Sequence, residues 1–267
     1  AALLPDRENR ASAAFVAASA HQAVSLGQQK AQATSHVGMA AVSSDVCATL
    51  LFLLAEAHAD ASEAAKRIVP AADAGPIERA LLLAIRSLAQ GRLGEIVAND
   101  EPEIDTDGDD LGLRALDALR LLLLRGITNL ARQLHLRVDL PPEAGGVVPA
   151  SELFAQVRGL ASETIDGAGA AGETLLSLYP GPLHLANLLL GLEGDLLGTA
   201  LSRIPTPSGV DENGWWQTLR RMARHRPYLW RNHREAIEKD YLKQGVSSAI
   251  SFPTGGGKST LAELKIA

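Results

Sequence analysis

The sequence predicts a mainly α-helical chain that changes character near its C-terminal end, and three observations carry this. Ala and Leu dominate a composition that is 46% hydrophobic but only 4% aromatic, which favours a Leu/Ala-packed helical interior over a β-sandwich. Apolar residues recur at helical spacing between Pro, Gly and acidic breaks, and nothing upstream of residue 246 resembles a strand with alternating burial. The stretch "VSSAISFPTGGGKSTLAELKIA" (246–267) then runs from a β-prone segment through a glycine turn into a helical pattern.

In chain order, residues 11–69 fit two or three helices, broken near Gly27 and Gly38 and ending at Pro70. "SSDVCATLLFLLAEA" contains the one cysteine, Cys47, and its apolar helical setting predicts core burial. "PIERALLLAIRSLAQG" (76–91) has Pro at a helix start and Gly after the last turn. The acidic loop "NDEPEIDTDGDD" (99–110) carries seven carboxylates and no base. A calcium loop of the EF-hand type wants Gly at its sixth position and Glu at its twelfth. Counted from Asp105 these are Asp110 and Leu116, so a solvated linker is expected.

"LGLRALDALRLLLLRGITNLARQLHLRV" (111–138) is the strongest helical stretch, with Gly126 marking where it divides if it is two helices. "DLPPEAGGVVPAS" is a loop, with Ser151 the expected cap of the helix "ELFAQVRGLASETI". After "DGAGAAG", residues 173–201 give further helices. "IPTPSGVDENG" (204–214) has the prolines, glycines and polar neighbours of a linker. The expected organisation is therefore a helical accessory domain over 1–203, a linker at 204–214 and a second unit over 215–267.

Composition also excludes function classes. A single cysteine cannot form an internal disulfide and points to a reducing compartment, the cytoplasm. The longest apolar runs are cut by Glu56, Asp117, Arg120 and Arg125, which argues against a membrane partner. "AALLPDRENR" lacks the basic start of a signal peptide. A first residue of Ala and an end soon after the glycine turn predict a piece of a longer polypeptide. The histidines are scattered, with no H-E-x-x-H pair, and there is no nucleophile elbow or triad signature.

Beyond residue 214 the charge changes sign. Residues 215–245 hold eight bases against three acids in a chain of net charge −6. All three tryptophans, Trp215, Trp216 and Trp230, lie here with Tyr228 and Tyr241. Bases interleaved with aromatics suit a nucleic-acid backbone and its bases, with Arg220, Arg221 and Arg224 the candidate contacts. The alternative is a solvated helix face whose aromatics anchor one domain on the other.

The glycine turn is the most specific feature. "VSSAISF" (246–252) is expected as a short buried parallel strand and "KSTLAELKIA" as a helix whose Leu261, Leu264 and Ile266 pack against a sheet. Strand, glycine loop, Lys-Ser and helix in that order make a phosphate cradle. After Thr254, the glycines Gly255, Gly256 and Gly257 let backbone N–H groups wrap a phosphate without Cβ clashes. Lys258 would reach the β- and γ-phosphates of ATP, Ser259 would give its hydroxyl to Mg²⁺, and Thr260 is a weaker phosphate contact. Phe252 stands where G-x-x-x-x-G-K-[ST], the Walker A pattern, has its first Gly.

With that departure, "FPTGGGKST" resembles motif I of superfamily 2 (DEAD/DEAH-like) helicases, A-x-T-G-x-G-K-[TS]. "PTGGGKS" is similar to the RecQ form and the following "AEL" to the Ski-type and Lhr-like branch. "YLWRNHREAIEKDYLKQG" resembles the helix ahead of motif I, with Ala236 and Ile237 in place and His233 where the adenine-reading Gln stands. The resemblance covers roughly residues 226–267. It implies that the second unit is the first strand, P-loop and helix of a RecA-like α/β motor domain, with Tyr228, Trp230 and His233 candidates to contact adenine.

Such helicases also need a D-E-x-[HD] motif and arginine fingers from a second lobe. The Asp-Glu pairs here, "DEPE" (100–103) and "DENG" (211–214), precede the cradle and lie in loops. No catalytic residue is therefore expected in this chain, and neither ATP hydrolysis nor unwinding is expected of it alone. The resemblance implies the N-terminal part of an ATP-dependent helicase or translocase acting on nucleic acid, DNA in preference to RNA. Its helical domain would dock a protein partner, by analogy a nuclease effector in antiviral defence. The other class kept open is a helical interaction scaffold with a vestigial nucleotide site.

Overall fold

The computed structural model describes residues 7–29, 34–103, 110–136, 148–165, 174–252 and 257–266. Helix α1 (Arg7–Gln29) runs through Gly27 and lays Ala14 and Ala18, one turn apart, against α2 (Ser44–Leu54). The latter is buried along its length from Asp45 to Leu54, as a helix apolar on every side must be. Cys47 lies in this helix, 1% exposed; burial, reinforced by Asp45, pushes its thiol up to about 12 and leaves it an inert apolar group. Around α2 pack α3 (His58–Ala65) and α4 (Pro76–Ala89, with Pro at its start and Gly91 after it), and beyond α5 (Leu93–Ala98) the long α6 (Leu111–Leu136) packs on α4 and α5.

Gly126 does not divide α6. A Cβ there would lie 2.3 Å from Cε1 of Phe154 in α7 (Ala150–Leu160), so the glycine admits a ring rather than a break. Glycine costs a helix about 1 kcal/mol relative to alanine, and burying Phe154 outweighs it. Ser151 is not a cap either: it is inside α7, and its N–H donates to Oε1 of Glu193 at 3.1 Å. Where a helix was expected to continue, β1 (Glu163–Ile165) pairs antiparallel with β2 (Thr174–Leu176), in the register Glu163↔Leu176. Three-residue strands are too short to leave a periodic signal. Helix α8 (Pro180–Gly198) closes the body, tied to α1 by the two-pronged Arg10–Asp195 pair at 2.8 Å.

Buried polar groups staple the connections. Arg120 of α6 donates to the Val37 carbonyl, pairs with Glu78 at 2.8 Å and with Asp117 at 2.9 Å, while Glu78 accepts the Val37 N–H. The charge is thus compensated, without which its burial would be costly.

A second apolar cluster begins at Leu201, in a 3₁₀ turn over Leu201–Arg203, and joins Ile204, Trp215, Leu219, Ala223, Leu229, Leu242, Leu261 and Leu264. It is built from α9 (Glu212–Ala223), α11 (Lys258–Ile266) and the segments around α10 (Arg231–Glu238). The 204–214 segment is shorter as a connection than its composition suggests: Asp211 caps α9 by accepting the Gly214 N–H at 2.6 Å, and helix begins at Glu212.

Residues 246–252 differ from expectation. They have no ladder partner among the described residues, and a parallel strand exists only by pairing. Helix α11 forms as expected, but Leu261 and Leu264 pack into the second cluster, not on a sheet, and Ile266 is exposed. No helix among the described residues is long and apolar enough to cross a membrane.

Candidate nucleotide-binding cleft

A strap of chain, residues 226–230, carries the second cluster across the helical body. Leu201 donates to Pro227 O at 2.8 Å, Leu229 donates to Thr199 O at 2.7 Å, and the Tyr228 hydroxyl donates to Leu88 O at 2.7 Å. The strap delivers Trp230 to the start of α10. There the His233 ring, 2% exposed, stacks on Trp230 with centroids 5.5 Å apart and planes within 6°. Its Nδ1 accepts the Trp230 N–H at 3.3 Å, and its Nε2 lies 3.0 Å from Gly257 O. Those partners assign the proton to Nε2, which donates to the carbonyl.

Gly257 ends the glycine loop at φ +75°, and a Cβ on it would stand 2.2 Å from His233 Nε2. Only glycine fits both the backbone and the contact. Its carbonyl also accepts the Thr260 N–H at 3.0 Å, which starts α11. His233 therefore fixes where this helix begins. Both ring nitrogens, at the position that the resemblance gives to an adenine reader, are engaged within the chain in this structure.

A cleft of about 740 Å³ opens at the start of α11. Gly257, Lys258, Ser259 and Thr260 line it together with Trp230, Tyr228 and Arg226. Lys258 and Ser259 are exposed, and no ion pair or side-chain hydrogen bond among the described residues engages them. Thr260 is buried, with its hydroxyl 3.5 Å from Arg226, which also pairs with Glu263 at 3.2 Å. Thr254, Gly255 and Gly256 lie outside the described residues. A cationic side chain, a free hydroxyl and a helix N-terminus in a cleft of ligand size fit a nucleotide phosphate with Mg²⁺. In that arrangement Lys258 would meet the phosphates and Ser259 the metal.

Tyr228 stands differently from expectation. It is buried, its ring stacked on His58 with centroids 5.1 Å apart, and burial holds its phenol protonated. Trp230 remains half-buried on the cleft wall. Sequence reasoning takes His58 only as one of the scattered, ordinary surface or core histidines, because a lone histidine in an Ala-rich helix carries no further signal. It missed the Arg234–Glu56 pair, which locks α10 to the end of α2.

Arg220, Arg221 and Arg224 form an exposed row at the end of α9 and are not cleft residues. No ion pair among the described residues engages them. Arg220 and Arg224 act on His135 in the last turn of α6, whose pKa is lowered by burial first and then by these two charges. Trp215 is buried at the centre of the second cluster, so this aromatic anchors the fold.

Both Asp-Glu pairs have structural work: Glu101 pairs with Arg125 at 2.6 Å, and Asp211 caps α9. Residues 104–109, the centre of the acidic loop, lie outside the described residues. Among the described residues no group of three or more His, Cys, Asp or Glu is placed to hold a metal ion. No protein-family model matches the chain, and no curated protein matches its sequence.

Proposed function

We propose that this chain is the N-terminal part of an ATP-dependent nucleic-acid helicase or translocase of superfamily 2. In this view residues 1–203 are a helical accessory domain that docks a partner protein, and residues 215–267 begin the motor. The observation that carries the proposal is the cleft. Lys258 and Ser259, the two residues that motif I assigns to phosphate and Mg²⁺, are unengaged there at the start of α11, and Gly257 is held at left-handed φ by His233. The exposed Arg220, Arg221 and Arg224 row supplies the cationic surface a nucleic-acid strand needs. The chain alone is expected to bind the nucleotide without hydrolysing it, because no D-E-x-[HD] motif accompanies the cradle.

The test is titration of residues 1–267 with a fluorescent non-hydrolysable ATP analogue in the presence of Mg²⁺. Saturable binding that Lys258→Ala removes is the expected result. Binding that Lys258→Ala leaves intact overturns the proposal. The second reading, a helical scaffold with a vestigial site, is favoured by one observation: both nitrogens of His233 are consumed at the position of the adenine-reading Gln. Under that reading the wild-type chain binds no nucleotide.

A further inference from the structure

The cleft is not made by the second cluster alone. Helix α3 of the helical body turns His58, Ala59 and Ser62 towards it, and the end of α4 adds Gln90. Residues 58 and 62 are one turn apart on one helix face. Ser62 is half-buried, and no hydrogen bond among the described residues engages its hydroxyl. His58 is 9% exposed, and neither of its ring nitrogens has a hydrogen-bond partner among the described residues. A buried imidazole with both nitrogens unmet is an uncommon and costly arrangement, and its neighbours on the cleft wall are the residues assigned to a nucleotide.

We propose that the helical body forms part of the nucleotide site, with His58 and Ser62 of α3 contacting the nucleoside end of a bound nucleoside triphosphate. This rests on the nucleotide-binding function of the cleft. The chemistry selects the nucleoside over the phosphates. Burial, reinforced by Arg234 and then by His233, pushes His58 down to about 4, so the ring is neutral near pH 7 and presents one donor and one acceptor. A neutral donor–acceptor pair suits a base edge or ribose hydroxyls, whereas the phosphates have Lys258. Reaching the ligand takes a rotation of the ring off Tyr228, which the gain of hydrogen bonds for two unmet nitrogens favours. The nucleotide would thereby touch both units at once, and the helical body would respond to its presence.

Calorimetric titration of residues 1–267 with Mg-ATP and, separately, with Mg-tripolyphosphate tests this. His58→Phe keeps the stack on Tyr228 and removes both nitrogens. It is expected to weaken ATP binding about tenfold, the worth of one or two hydrogen bonds, while leaving tripolyphosphate binding unchanged. Ser62→Ala should act in the same direction, and His58→Asn should recover part of the loss. Lys258→Ala should weaken both ligands. If it does so while His58→Phe and Ser62→Ala leave ATP binding intact, the role of α3 is wrong and the nucleotide cleft stands. If wild type binds neither ligand, or Lys258→Ala changes nothing, both fall. Should circular dichroism show that His58→Phe does not fold, Ser62→Ala decides the matter alone.

Discussion

His58 sits buried and neutral between Tyr228 and the cleft, and this has a consequence for stability that can be measured without any ligand. The unfolded chain protonates this imidazole near its ordinary 6.5, and the folded one only near 4. The unfolded state therefore gains a proton first as pH falls, so the His58 contribution is complete above pH 6.5 and is lost on the way down to 4. Between pH 7.5 and 5 the loss is about 2 kcal/mol. Urea unfolding of His58→Phe should lack that part of the decline. His135 and His184, also lowered by burial, shift in the same direction and remain in both proteins. Gly257 makes the other prediction at this scale. Alanine there needs left-handed φ and collides with His233, so Gly257→Ala should destabilise the second cluster by about 1–3 kcal/mol and weaken ATP-analogue binding. Lys258→Ala, at an exposed position, should leave the melting temperature unchanged.

At the scale of elements, helices were legible wherever an apolar face repeats, as in α4 and α6, whereas the polar α10 was expected only from the resemblance to the helix ahead of motif I. What the sequence hid were features set by a partner. Gly126 reads as a break because glycine is a poor helix former; Phe154, 28 residues away, makes it a necessity. Gly126→Ala should therefore destabilise. It gains about 1 kcal/mol of helix propensity but forces an overpacked contact worth about 1–3 kcal/mol against it. Gly126→Ala with Phe154→Leu should lose less than the sum of the two single changes. The 246–252 segment errs in the opposite direction: its composition suits a strand, but pairing is non-local and no ladder partner is described. At the end of α9, the triple change Arg220→Ala, Arg221→Ala and Arg224→Ala touches no ion pair among the described residues. If this row follows a nucleic-acid strand, it should flatten the salt dependence of single-strand binding by about 2 in log–log slope.

For the whole molecule, the strap at 226–230 joins the apolar clusters. Its backbone hydrogen bonds to Thr199 and Leu201, and the Tyr228 hydroxyl on Leu88, hold Trp230 on the wall of the cleft that α3 also lines. The sequence itself raised the proposal of a cradle at Gly257, Lys258 and Ser259, since those residue types at that spacing are what phosphate binding asks for. It could not announce the opposite wall, because His58 and Ser62 stand about 200 positions earlier and reach the cleft only through the packing of α3 on α2 and α4. A nucleotide site shared between the helical body and the motor segment is thus the central claim. Photolabelling of residues 1–267 with 8-azido-ATP, followed by peptide mapping, tests it most directly. The expected result is label in two peptides, one spanning 225–234 and one spanning α3, both suppressed by excess ATP and by Lys258→Ala. Label that avoids both peptides, or that persists in Lys258→Ala, would contradict the account.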